Sequence, residues 1–381
     1  MKYGPALLGS MSALAVLASA SASHAASWCV RDHNELQQAL TAAAASPGDD
    51  EIKLREGVYT TFNGSFLYSA QTAGWLTISG GWYTVDGNDC AQMRTDASRT
   101  ILDGAGQHQA LRIFHNPPAG TTQSTRLAVV NLSLRNGYGD STTFQRGGGI
   151  DMDSFSDAFT ELWLENVIVA NNEGYFGGGA NLYAKNGFIR IANSLFDDNS
   201  ASASAYGHVA ITLNATAGNV SPAVTIANST FTRGRCAGQG TRGCGIGAGL
   251  AGGVRMDILN SLFFDNAISD VNVEGGAVIG IGDGSASADY SLVGTVSGNL
   301  PLVAMNALAG DPRFVDAANG DLRLRDDSPF INRGLAPVPY YALGALDLDA
   351  KPRTRFGATD PGPYENQSWD FLFANGFDGE K

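Results

Sequence analysis

Lysine is almost missing from this chain of 381 residues; away from the termini only Lys53, Lys185 and Lys351 occur. Charged residues make up just 16% of the sequence, and acids outnumber bases to leave a formal net charge of −13. That balance excludes nucleic acid or an anionic membrane as the main partner, since both demand a basic surface. Amphipathic helical periodicity is absent beyond one N-terminal stretch, which excludes a helical solenoid. There is no twelve-residue calcium loop and no nonapeptide calcium repeat. Nor is there a phosphate-binding loop: the triple-glycine runs open strands, with no helix to receive a phosphate. Calcium remains the natural metal for the clustered acids at 196–199 ("FDDN") and 346–351 ("LDLDAK"), and the sequence leaves the metal open.

Cysteine is scarce as well, at four residues: Cys29, Cys90, Cys236 and Cys244. The chain opens with what reads as a secretory leader over 1–25: Lys2, a short apolar stretch from Leu7 to Ala20, then small residues ending at Ala25. The apolar stretch is too short and too rich in serine to span a bilayer, so no transmembrane span is expected in the mature chain. Losing Lys2 takes one positive charge from −13 and leaves −14. An even cysteine count in an exported chain points to disulfides. Cys236 and Cys244 staple the glycine-rich "CAGQGTRGC", and Cys29 with Cys90 follows by elimination.

What the chain does have is glycine, 48 of them, and one phrase written five times. "VVNLSLRNG", "LENVIVANNEG", "RIANSLFDDNS", "TIANSTFTRGR" and "DILNSLFFDNA" share a lead asparagine at Asn131, Asn166, Asn193, Asn228 and Asn260. The spacings are 35, 27, 35 and 32, which fits a fixed unit with variable loops. Three residues after each lead comes an apolar side chain (Leu134, Val169, Phe196, Phe231, Phe263), and six after comes Gly137, Asn172, Asn199, Gly234 or Asn266. Glycine and asparagine tolerate positive φ, so a turn is expected at that sixth place. A short glycine-led apolar run follows each loop, as in "GGGIDMD" and "GGGANLYAK". A strand–turn–loop–strand unit cannot bury its apolar face alone; stacked coil on coil it forms a parallel β-helix, whose repeated asparagines can bond along the stack. A β-sandwich would need regular hairpin turns, which are not present.

A solenoid needs its ends covered. "RDHNELQQALTAAAAS" reads as one helix capping the N-terminal end, with Asp32 and Glu35 at capping-box spacing and Leu36 and Leu40 on one face. The expected organisation is therefore a leader over 1–25, an N-terminal cap and first coils over 26–99, β-helix repeats over 100–300, a C-terminal cap over 301–365 and a tail over 366–381.

Taken together, "ELQQALTAAAASPGDDEIKLREGVY", "RTILDGAGQHQALRI" and the Asn-led coils with "GGGI" resemble bacterial secreted right-handed parallel β-helix repeat proteins of the pectin-lyase-like fold. "GDPRFVDAANGDLRLRDDSPFINRG" and "LDLDAKPRTRFG…GPYE" are similar to the C-terminal region of such proteins, of choice-of-anchor type. Asn332 stands where that family usually has an aspartate, and "DPGPYE" departs from its usual ending, so no ligand role is carried over to the missing acid. The tail "WDFLFANGFDGEK" is similar to short aromatic-Gly-Phe endings on exported proteins of Gram-negative bacteria. The resemblance implies an all-β, right-handed parallel β-helix, secreted or held at the cell surface. It implies either glycan binding and surface interaction without chemistry, or polysaccharide hydrolysis or lysis on the same scaffold.

Strand alternation selects the outward residues. With Ile150 and Met152 inside, Asp151 and Asp153 point out; with Ala180 and Leu182 inside, Asn181, Tyr183 and Lys185 point out; with Val209 and Ile211 inside, His208 points out. Coils stack about 4.8 Å apart, so these residues are expected to share one patch. Asp151 and Asp153 would sit roughly 7 Å apart at Cα, within the range of inverting glycosidases, with His208 assisting proton transfer. Asn181, Tyr183 and Lys185 would bind the sugar. Arg233, Arg235 and Arg242 cluster on the loop closed by Cys236 and Cys244, where they read as a solvated surface. The ligand expected from the charge is a neutral polysaccharide or cell-surface glycan, bound by a monomer.

Overall fold

Every lead asparagine is a corner. Asn131, Asn166, Asn193, Asn228 and Asn260 have φ of 57°, 55°, 48°, 44° and 47°, the left-handed region that asparagine enters at less cost than other side-chain-bearing residues. These angles come from a computed structural model that describes residues 25–368 except 144, 203–205, 215–222, 238–241, 252, 276–283, 339–343 and 356. The expected leader, save Ala25, and the tail from Trp369 lie outside the described residues.

The second corner differs from expectation. It falls five residues after the lead, at Asn136, Asn171, Asp198, Arg233 and Asp265, with φ between 50° and 59°. The asparagines at the sixth place instead point inward and bond to their neighbours. Asn172 donates to the carbonyl of Leu134 (3.0 Å) and to Asn199 Oδ1 (2.9 Å), and Asn199 donates to the carbonyl of Val169 (2.8 Å). Inward asparagines thus satisfy carbonyls that the bend takes out of the strand ladder.

Between corners the chain runs in parallel strands that stack coil on coil. The first sheet climbs through Ala26–Val30, Asp50–Arg55, Trp75–Val85, Thr125–Arg135, Thr160–Ala170, Gly187–Ala192, Val224–Ala227, Arg255–Leu259, Ser285–Asp289 and Leu302–Met305. A side arm beyond the lead asparagine carries Leu195–Asp197, Thr230–Thr232 and Leu262–Phe264. The second sheet stacks Phe66–Ala70, Leu111–His115, Ile150–Ser154, Ala180–Ala184, Val209–Leu213, Ile246–Leu250, Val271–Gly275 and Val296–Gly298. This is the right-handed parallel β-helix. Antiparallel pairing enters where Trp75–Val85 meets Asn88–Met93 and where Phe314–Asp316 meets Asp321–Leu324.

The core follows from the register. Ile150, Ala180, Val209, Ile246 and Val271 form one interior row, and Met152, Leu182, Ile211, Ala248 and Val273 the next, all buried. Phe196, Phe231 and Phe263 stack with centroids 4.8 and 4.6 Å apart. Coils approach closely where glycine leads the strand: a Cβ on Gly178 would lie 1.8 Å from the Ser200 carbonyl oxygen, so no larger residue fits.

The helix His33–Ala45 buries Leu36, Ala39, Leu40 and Ala43. Asp32 caps it, accepting from the backbone N–H of Asn34 (2.9 Å) and Glu35 (3.0 Å). Glu35 reaches back to the N–H of Arg31 (2.8 Å) rather than to that of Asp32, so the reciprocal half of the capping box is displaced by one residue. Gln37 exchanges two 2.9 Å bonds with the backbone of Leu67, closing the first edge of the second sheet.

At the other end of the sequence, the described residues between Phe314 and Glu365 lie along the flank of the coils. Phe314, Leu322, Leu324, Phe330 and Leu348 pack on the outward side chains Ile168, Ala170, Leu195 and Leu262. The backbone carbonyls of Asp360 and Leu335 accept from the lead residues Asn228 (3.2 Å) and Asn260 (2.8 Å).

Both disulfides are formed, Cys29–Cys90 and Cys236–Cys244, separated by 61 and 8 residues in sequence. In the chain-entropy account the longer loop is worth about 4 kcal/mol and the shorter about 2.5 kcal/mol. The C29S/C90S double variant is therefore expected to lower the denaturant midpoint more than C236S/C244S. Equal midpoints would show that loop entropy does not set their contributions.

Candidate functional site

The second sheet presents two outward rows. Register aligns Leu67, Arg112, Asp151, Asn181, Ala210, Gly247 and Asn272 in one, and Ser69, Phe114, Asp153, Tyr183, Thr212, Gly249 and Glu274 in the other. Of the residues expected in a shared patch, Asp151, Asp153, Asn181 and Tyr183 are brought together. From Asp151 onward the first row is covered, and Arg146, from the loop that leads into Ile150–Ser154, reaches over to Asp153 in the second. Asp151 and Asp153 are consequently buried, at 4% and 3% exposure, although they sit on the outward face.

Under that roof the acids form a closed network. One amide nitrogen, Nδ2 of Asn181, donates to Asp151 Oδ1 (2.7 Å) and to Asp153 Oδ1 (3.0 Å). Arg146 binds Asp153 at 3.0 Å, and Arg112 lies 4.0 Å from Asp151. Two oxygens sharing one donor lie less than about 6 Å apart, closer than the 6.5–9.5 Å that inverting chemistry needs for an intervening water. The expected inverting spacing is thus not found: Asn181 draws the two carboxylates together. Burial first, and the charge of Asp153 second, push Asp151 up to about 7. Asp153 is also raised by burial, with Arg146 pulling the other way.

Tyr183 stands in the open row. Its ring centroid is 5.0 Å from that of Phe155, which is 5.5 Å from Phe114, so three rings run across neighbouring coils. Phe155 is 37% exposed. Asn214 donates to the Tyr183 hydroxyl at 3.2 Å. Lys185 lies just past the strand end and is paired with Asp157, outside the acid network.

His208 is not in the patch. It precedes its strand at the inward corner and is fully buried against Phe196 and Phe231. Gly234 leaves a gap in the inward asparagine ladder, and His208 bridges it. Asn199 donates to Nδ1 (3.1 Å), and Nε2 meets Asn266 Oδ1 (2.9 Å), which assigns the proton to Nε2. Burial pushes this imidazole down to about 3, so it stays neutral and its role is to complete the ladder. Alternation fails here because a corner residue does not obey the period of the strand that follows it.

Sequence reading also missed residues. Arg112, Arg146, Phe114 and Phe155 surround the expected patch; Arg112 and Phe114 were legible as outward positions of "LRIFH", whereas Arg146 and Phe155 lie outside the strands. On the first sheet an alternating stack runs along the axis: Arg126 lies 4.1 Å from the rings of both Trp75 and Trp163, and Arg190 lies 4.3 Å from Trp163. Glu161 neutralises Arg126 at 2.6 Å.

The acid clusters considered for calcium are already satisfied. Asp197 binds Arg233 at 2.5 Å, Asp198 pairs with Arg235, and Asp347 accepts from the backbone N–H of Asp349, Lys351 and Glu365. Among the described residues no group of three or more His, Cys, Asp or Glu is placed to hold a metal. The arginine trio of the stapled loop is likewise paired, with Arg242 2.9 Å from Glu274.

Two variants test these assignments. H208A removes a buried ring and strands two asparagine side chains, so it should cost about 2–4 kcal/mol in urea unfolding. Because the folded imidazole is depressed, native His208 refuses a proton that the unfolded chain takes up below about pH 6.5. Its contribution therefore falls as pH drops from about 6.5 toward 3. Asp151 acts in the opposite sense: the folded carboxyl keeps a proton that the unfolded chain has released above about pH 4. Stability from this group falls as pH rises from about 4 to 7, and D151N should flatten that part of the melting-temperature profile. An unchanged difference between wild type and D151N across pH 4–7 would contradict the raised carboxyl.

No protein-family model matches the chain, and no curated protein matches it. Among solved structures it is similar to one titled "Crystal structure of pectate lyase Pel9A", at 13% identity and a TM-score of 0.40, over 85% of this chain and 90% of that one.

Proposed function

We propose that this is a secreted or cell-surface β-helix protein that binds a neutral glycan across the outward face of its second sheet, without catalysis. The observation that carries this reading is the row Phe114, Phe155 and Tyr183, three rings on successive coils with centroids 5.5 and 5.0 Å apart. Flat apolar rings beside hydrogen-bonding groups are what a sugar face meets, and a repeated row suits a repeated polymer. Lys185 flanks the row and assists binding, whereas Asn181, buried beneath the roof, holds the two acids instead. Two disulfides fit an oxidising, exported setting, and no helix among the described residues is long and apolar enough to cross a membrane. The protein acts as a monomer exported by a Gram-negative bacterium.

A second reading, polysaccharide hydrolysis or lysis on the same face, is favoured by one observation: a buried carboxylate pair with Asp151 raised to about 7 is the kind of group that general acid chemistry uses. In that reading Asp151 and Asp153 do the chemistry. The roof over both acids and the arginines bound to them support the non-catalytic reading over this one.

Glycan affinity and degradation measured side by side separate the two. Y183A should weaken glycan binding by roughly tenfold while leaving the melting temperature nearly unchanged, since a half-exposed ring adds little to the core. D151N/D153N should change affinity modestly, with no turnover to lose. An enzyme would instead lose turnover by about 10²–10⁴-fold while still binding. Binding and activity unaltered by all three substitutions would move the site off this face.

A further inference from the structure

The outward face of the second sheet does not run on indefinitely. At its first strand, Phe66–Ala70, it meets the helix His33–Ala45, whose Gln37 closes the strand edge through Leu67. A cleft of about 530 Å³ opens at this junction. It is lined by Asn34 and Gln37 of the helix, by Phe62 and Asn63, and by Arg112 and Gln145. Arg112 is on the strand that also carries Phe114, two residues on and on the same face, so the cleft is continuous with that row.

The cleft's chemistry is that of a polyol site. Phe62 is 77% exposed, a ring offered to an apolar sugar face. Gln145 gives its carbonyl to the N–H of Asp140 (3.1 Å) and keeps its NH₂ for another acceptor. Among the described residues Arg112 pairs with one acid, Asp151, at 4.0 Å through Nε, and it lines the cleft. No carboxylate is among the lining residues, so hydroxyls meet donors and amides and no fixed negative charge.

We propose that this cleft binds the terminal residue of a glycan chain, so that the protein recognises chain ends and the aromatic row holds the residues that follow. The proposal rests on the glycan-binding reading above. An internal residue carries chain on both sides and would meet the helix wall; a terminal residue has a free end whose hydroxyls fit against Asn34, Asn63 and Gln145.

The test is calorimetric titration of the full chain with neutral hexasaccharides of glucose, galactose, mannose and xylose. Each is used with a free non-reducing end, with that end methylated, and with the reducing end blocked instead. The expected result is that blocking one end weakens binding by roughly tenfold or more, as losing a set of sugar hydrogen bonds does, while blocking the other end changes little. F62A, N63A and R112Q should erase that difference, and Y183A should weaken free and blocked chains alike. F62A and N63A alter exposed loop residues, so a folding defect in R112Q leaves the test intact. Equal binding of free and blocked chains, with Y183A still weakening both, would overturn end recognition and leave the glycan reading standing. Failure of every hexasaccharide to bind would overturn both.

Discussion

The structure depends on a single backbone constraint: each coil must bend at the same residue, or the next strand falls out of register. A left-handed corner costs a side-chain-bearing residue roughly 1–2 kcal/mol, and asparagine is the cheapest such residue that can also bond along the axis. Asn166 donates to Asn131 at 2.6 Å, and Asn193 to Asn166 at 2.8 Å. The run then breaks. Asn193 Oδ1 is buried without a hydrogen-bond partner, and Asn228 turns instead to the carbonyl of Asp360. From that coil onward the C-terminal segment shares the bonding, with Asn260 donating both to Asn228 at 3.3 Å and to the carbonyl of Leu335 at 2.8 Å, so the flank is keyed to the same corner residues that set the coils.

That segment carries an unusual electrostatic arrangement of its own. Asp347, Asp360 and Glu365 are all buried beside Arg353. Each acid is held by backbone donors: Asn332 and Asn366 to Asp360, Asp360 itself to Glu365, and Lys351 and Glu365 to Asp347. Asn332 contributes through its backbone N–H at 2.6 Å, so its side chain can be amide or acid without changing this bond. Burial, with Asp360 as its charged neighbour, pushes Glu365 up to about 8, and burial raises Asp360 to about 6. Backbone donors tie the loop ends of this segment together where an apolar core is thin.

The repeat made the fold legible because the lead asparagine and the apolar residue three places later recur in five successive coils. The fine placement of the second corner was obscured: Asn136, Asn171, Asp198 and Asp265 are of the type that tolerates this conformation, but Arg233 breaks the pattern. A reader of residues is drawn to the glycines and asparagines one place later. The site was half legible for a similar reason. Alternation correctly put Asp151, Asp153, Asn181 and Tyr183 on one face. It carries no information on the loops that fold over that face, so the burial of the acids and their pairing with Arg146 and Arg112 stayed hidden. His208 failed because its partners, Asn199 and Asn266, lie 9 and 58 residues away and are recruited by the missing side chain at Gly234.

What each face of the solenoid can still do follows from what already occupies it. The interior is filled by apolar rows and amides. On the first sheet, the rings of Trp75 and Trp163 are stacked on Arg126 and Arg190, which takes up ring faces a ligand would need. The side arm lies beneath Phe314, Leu322, Leu324 and Phe330. On the second sheet the row through Asp151 and Asn181 is roofed, and Tyr206 lies against Gly247 while its hydroxyl reaches Asn272 at 3.2 Å. The row through Phe114, Tyr183, Thr212, Gly249 and Glu274 stays half-open except at Asp153, which lies in it and is buried. The buried acid network stiffens this row: Asp153, a member of it, is tied through Asn181 to Asp151 in the adjoining row and fixed to the overlying loop by Arg146. A rigid floor is what a row of rings requires if it is to meet a polymer without first paying to order itself.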